Sequence, residues 1–194
     1  MIISVITIDL IIIIIKSMVI TCKNFHKILV GEPLLGLHIN AIRNFIAEYP
    51  PIKDRHLTTS EINKEIIKTQ TLGTEQPFIH KYTDISDPKT GVPYISLATV
   101  FISHAWRYKF YKVVVAVMEQ YAVKDPDAYF WFDLFTNDQN KVGFMFLNSI
   151  KNIGKVLLIL SPWDDPIPIK RAWCLYEIYQ ALEENSVEFT IDLP

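Results

Sequence analysis

The sequence predicts an α/β domain, a parallel sheet with helices on both faces, preceded by a small helical lead-in. Three observations predict it. Residues 99–103, 128–132 and 155–160 are short apolar or aromatic runs, and the last shows no polar alternation, as a strand covered on both faces requires. Helical apolar spacing follows the runs, at Phe110, Val113, Val114, Val117, Met118 and Tyr121 and again beyond Ile169. The connections are short, so the order strand, helix, strand, helix, strand, helix, strand calls for right-handed crossovers in one parallel sheet. With 194 residues the chain can bury a full core and carry an appendage.

Taken in order, the chain reads as three parts: residues 1–30, an apolar segment; 31–97, a helical lead-in and linker; and 98–194, the α/β domain. Ile2 to Ile15 is almost wholly apolar, interrupted by Asp9 and closed by Lys16. It falls short of the roughly 20 residues that span a bilayer, and it lacks the basic leader and small-residue cleavage site of a secretory signal. Its β-branched isoleucines favour a strand. An extra strand, a disordered tail, a misassigned start and a membrane or signal segment stay open as readings.

Gly31-Glu32-Pro33 opens a helix to about Tyr49, with Leu35, Ile39, Ile42 and Ile46 on one face, and Pro50-Pro51 stops it. Thr58 and Glu61 form a capping box for a second helix, with Leu57 and Ile62 as its hydrophobic staple. Residues 72–97 are rich in turn formers and read as a linker holding a short hairpin. Beyond the first strand, residues 133–141 read as a polar loop and 142–150 as a short helix. Gly154 is placed to end that helix in the left-handed conformation. The run 155–160 leads through Ser161-Pro162, Pro166 and Pro168 into a helix whose Leu175, Ile178, Tyr179 and Leu182 fall on one stripe. Residues 187–193 alternate as a last strand.

Bulk properties exclude several classes. Half the residues are hydrophobic, so the chain is globular. A formal charge of −2 gives no reason to expect nucleic acid. Two distant cysteines and scattered histidines assemble neither a disulfide scaffold nor a metal site, and a reducing, cytoplasmic compartment is expected, with membrane or secreted location as the alternative. No membrane partner is expected from the rest of the chain; residues 2–15 alone leave it open. Six scattered glycines form no phosphate-cradling loop, which disfavours a dinucleotide dehydrogenase or P-loop enzyme.

From Ala98 onward the chain resembles a TIR domain, the flavodoxin-like module of innate-immune receptors, adaptors and NAD-cleaving enzymes. Val100-Phe101-Ile102-Ser103-His104 is similar to its first strand and Phe130-Trp131-Phe132-Asp133 to its second. Residues 155–162 with Trp173-Cys174-Leu175-Tyr176-Glu177 are similar to its third strand and the helix after it. The wording is nearest to TIR-like modules at the start of eukaryotic, often fungal or protist, tetratricopeptide-repeat proteins. The resemblance implies a signalling or assembly domain that acts by self-association or by binding other TIR-like domains. It also implies a fifth strand, which this chain lacks, so the chain is read either as C-terminally truncated or as filling that edge with its isoleucine run.

The same resemblance makes Glu177 a candidate catalytic residue of an NAD nucleosidase, with NAD as substrate and no cofactor. Cleaving the nicotinamide–ribose bond needs a carboxylate near an oxocarbenium-like centre, the logic of glycoside hydrolysis, and an aromatic plane beside the cationic ring adds a cation–π contact. Trp173 and Glu177, four apart on a helix, lie within about 40° of each other, on a face opposite the Leu175, Ile178 and Leu182 stripe. His104, Ala105 and Trp106 at the first strand's end, with Asp133, Trp163 and Trp173, are the expected substrate-binding residues, and residues 136–140 the expected gate. The plainer readings stand beside these. Glu177 is then a solvated charge continued by Gln180 and Glu184, Trp173 is packing, His104 a structural histidine and Asp133 a cap. Two rival functions follow: a non-catalytic scaffold module of a longer repeat protein, or a membrane-anchored or secreted effector.

Overall fold

Six strands form one sheet: β1 (Leu35–His38), β2 (Ile95–Leu97), β3 (Val100–Ser103), β4 (Tyr129–Trp131), β5 (Lys155–Ile159) and β6 (Glu188–Asp192). The computed structural model describes residues 34–141, 146–162, 165–170, 172–183 and 187–192. The isoleucine-rich segment, Trp163 and the start of the helix expected at 142 lie outside the described residues, as does the side chain of Trp173. Leu34–Pro194 forms one compact unit.

The strand order is β2-β1-β4-β3-β5-β6. Its last four members are parallel, and in chain order they run second, first, third, fourth, the flavodoxin-like arrangement. Phe101 pairs with Trp131 on one side and Val156 on the other, and Ser103 pairs with Leu158. β3 and β5 are strands buried on both faces: Val100, Phe101, Ile102 and Ser103 are all inaccessible, and so are Val156 to Ile159.

Alternation then sorts the core into two layers. Val100, Ile102, Phe130 and Leu157 join a large cluster on one face, with α1 (Ile39–Glu48) and α2 (Ala116–Lys124) over it. Phe101, Trp131 and Val156 point to the other face, where Ile150 of α3 (Phe146–Ile153) and Ala181 of α4 (Ala172–Glu183) cover them. Phe101 and Trp131 stack there at 4.7 Å between ring centres.

The lead-in supplies helices and also two strands that the sequence reading missed. α1 begins at Ile39, not at Gly31, because Leu35–His38 is extended and antiparallel to both β2 and β4. His38 caps α1: its Nδ1 accepts from the Asn40 N–H at 3.2 Å, so the proton sits on Nε2, 2.9 Å from the Pro126 carbonyl. Within the linker Ser86 bridges Pro93 antiparallel, and β2, just beyond that turn, pairs with β1. The capping box at Thr58 and Glu61 forms as expected and starts a helical stretch that runs through a π turn at Asn63–Ile67 to Thr71. Residues 133–141 are not loop throughout. Asp133–Thr136 is a helical turn, because Leu134 and Phe135 are fully buried and pull it onto the core. Gly154 has φ +75°, the helix-ending conformation expected of it.

The parts divided at residue 98 in the sequence share one core. Phe45 of α1 meets Phe78, Phe110 and Phe135 edge-on, at 5.4, 6.2 and 5.0 Å.

Candidate functional site

β3 connects onward to β4 on one side and β5 to β6 on the other, so the strand order reverses between β3 and β5. Open α/β sheets bind ligands outside the C-terminal ends of the strands at such a reversal. Ser103 ends β3 there, and α4 returns over the same place after β5.

Two contacts dock α4 on that strand end. The Cys174 thiol donates to the His104 carbonyl at 3.6 Å. One turn later the Ser103 hydroxyl donates to Glu177 Oε2 at 2.5 Å. Cys174, Glu177 and Ala181 therefore form the face turned to the sheet, and Leu182, expected on the buried stripe, is 66 % exposed. The sequence reading had this helix rotated. Small side chains at 174 and 181 let the helix lie close to the sheet, where a leucine stripe would hold it off. The loop after β5 is tied in as well, because the Ser161 N–H donates to the Tyr108 hydroxyl at 2.7 Å. Burial raises the Tyr108 phenol above its ordinary range, so it stays protonated.

The other candidates divide. His104 and Ala105 do not wall a crevice, since they are 5 % and 0 % exposed. The His104 ring lies 3.2 Å from Thr59 Oγ1 through Nε2 and stands edge-on to Phe132 at 4.8 Å. Trp106 is half-buried, and its Nε1–H donates to Asp133 Oδ2 at 2.7 Å, which fixes the plane of the indole. Asp133 thus holds a tryptophan as well as opening its helical turn. Trp163 and the Trp173 side chain lie outside the described residues; the Trp173 backbone is in the first turn of α4.

The lead-in brackets the loops around this strand end. Thr59 N–H donates to the Tyr108 carbonyl and Ser60 N–H to the Trp106 carbonyl, at 3.1 and 2.9 Å. The stretch expected to gate the site is pinned. Gln139 Nε2 donates to the Asp133 carbonyl at 2.6 Å, and Asn140 Nδ2 to Thr71 Oγ1 at 2.9 Å.

Ser103, Thr59 and Tyr108 were missed as site residues. Ser103 was legible in principle, being the one polar residue ending a buried strand at the expected reversal; Thr59 and Tyr108 arrive by tertiary contact. Among the described residues no cluster of three His, Cys, Asp or Glu side chains is placed to hold a metal, and no helix is long and apolar enough to cross a membrane. A separate surface cleft of about 330 Å³ borders α1 and α2, and its Arg43 is already held by Glu119 and Asn40. Comparison of the chain with models of known protein families, with curated proteins and with solved structures finds no match.

Proposed function

We propose that the chain is a TIR-like signalling module that works by association with copies of itself or like domains, and that it cleaves NAD at the β3/β5 reversal through Glu177. The observation that carries this reading is the Glu177 carboxylate, delivered by the helix after β5 to the end of β3 and held there by Ser103. A ribosyl centre at that point loses nicotinamide with the bonding electron pair of the C1′–N bond. The carboxylate stabilises the oxocarbenium-like cation, and water adds at C1′ with release of a proton, giving ADP-ribose. Trp106, its plane set by Asp133, supplies an aromatic face for the cationic ring from the same strand end.

Nicotinamide release from NAD by wild type and Glu177→Gln tests it. Release by wild type well above the variant is the expected result, and equal background from both ends the enzymatic reading. Light scattering across a concentration series tests association. A second reading, a non-catalytic scaffold, is favoured by the burial of His104 and Ala105 and by the contacts that pin Gln139 to the Asp133 carbonyl and Asn140 to Thr71 of the lead-in.

A further inference from the structure

We propose that Ser103 is the positioning residue for the Glu177 carboxylate. The inference rests on the NAD-cleaving reading above and adds the device that aims its carboxylate. A glutamate side chain has three rotatable bonds, so a carboxylate on a helix is poorly placed unless something holds it. Ser103 is 1 % exposed and sits in a strand paired on both flanks, with Leu158 as its partner in β5. The sheet holds its backbone, so one side-chain torsion alone sets its Oγ. Every other residue of β3 is apolar and buried, and the hydroxyl spends its donor on Glu177 Oε2. A hydroxyl donating to a carboxylate oxygen favours the ionised form, the state that an oxocarbenium-like cation needs opposite it.

Helix docking and carboxylate aiming are separate in this arrangement. Cys174 reaches the His104 carbonyl and Ala181 packs in the layer around Phe101, so α4 keeps its seat without the serine hydroxyl. Ser103 is too buried to touch substrate, and it acts through Glu177 alone. Removing its one oxygen leaves the strand its shape and takes from Glu177 Oε2 the hydrogen bond that aims it.

The test measures kcat and KM for nicotinamide release by the full chain as wild type, Ser103→Ala, Ser103→Thr and Glu177→Gln, with the thermal midpoint of each. In Ser103→Ala, kcat falls about tenfold to a hundredfold while KM stays within about twofold, and Ser103→Thr recovers most of the loss. An unchanged kcat in Ser103→Ala beside an inactive Glu177→Gln overturns the role of Ser103 and leaves the catalytic reading standing. Wild-type release no greater than that of Glu177→Gln overturns both. Equal losses in the alanine and threonine variants, tracking a lowered midpoint, mark a structural residue and also overturn the proposal. Should Ser103→Ala not fold, Ser103→Cys, of similar volume and a weak donor, is read by the same criteria.

Discussion

Gly36→Ala is expected to loosen the sheet at the junction between the lead-in and the parallel strands. A Cβ on Gly36 would lie 2.8 Å from both the carbonyl carbon and the carbonyl oxygen of Tyr129, and 3.0 Å from Cα of Ala98. Carbon atoms prefer separations of about 3.5–4.0 Å, so the overlap is roughly half an ångström to an ångström. All three atoms are backbone and cannot rotate aside; only a shift of β1 relieves the clash. Such overpacking costs about 1–3 kcal/mol. Against it stands about 0.4–1 kcal/mol gained by restricting the unfolded chain. The net loss is about 1–2 kcal/mol, which for a unit of this size lowers the melting midpoint by about 2–8 °C. Urea and thermal melts followed by far-ultraviolet circular dichroism measure it, and amide exchange at Leu37 and Phe130, paired across the β1–β4 ladder, localises it. A midpoint equal to or above wild type would mean that a methyl group has room there. β1 would then not lie on β4, and the lead-in would not be part of the sheet.

Two further outcomes follow from the same packing. Phe45→Ala removes a fully buried ring shared with Phe78, Phe110 and Phe135 and costs about 3–5 kcal/mol. The whole unit is expected to unfold at lower denaturant in one transition, and a lead-in that melts by itself beforehand would refute the shared core. Thr58→Ala loses the helix cap at a cost of about 1 kcal/mol, read as a lower urea midpoint. The Thr58 N–H and hydroxyl, bonded to the Glu61 carboxylate, hold it below the usual carboxylate range. Its stabilisation is therefore present at neutral pH and is lost as pH falls through that lowered value. Wild-type and Glu61→Ala midpoints should converge in acid, and a gap that persists unchanged would sink the linkage.

Signals that belong to a single segment were legible in the sequence. Strands β3 and β5 show as apolar runs buried on both faces, and Thr58 with Glu61 announces a helix start because both halves of the cap lie three residues apart. Gly154 likewise marks its helix end. What escaped depends on partners distant in sequence. Leu35 and Leu37 suit a strand, yet Leu35 also fits the helical spacing of Ile39 and Ile42, and only pairing with β2 and β4 decides. The need for Gly36 is a distance to Tyr129, ninety-three residues away, and no local pattern encodes it. Leu134 and Phe135 were hidden in a polar stretch, although two adjacent large apolar residues are the signal for a buried turn.

The face of α4 is the instructive miss, because the same geometry explains where Glu177 ends up. Hydrophobicity picks out Leu175, Ile178 and Leu182, but a helix lying close on a sheet selects small residues, and Cys174 and Ala181 are the ones buried. In a parallel sheet α4 must run back against the direction of β3 and β5 to reach β6. From Glu177 to Ala181 the helix rises about 6 Å, and from Ser103 back to Phe101 the strand covers about 6.6 Å. The two ladders therefore stay level. Ala181 falls in the layer of Phe101, Glu177 reaches Ser103, and Cys174 reaches the His104 carbonyl just beyond the strand. The placement of Glu177 thus follows from handedness and rise, and Ser103 need only fix its last bond.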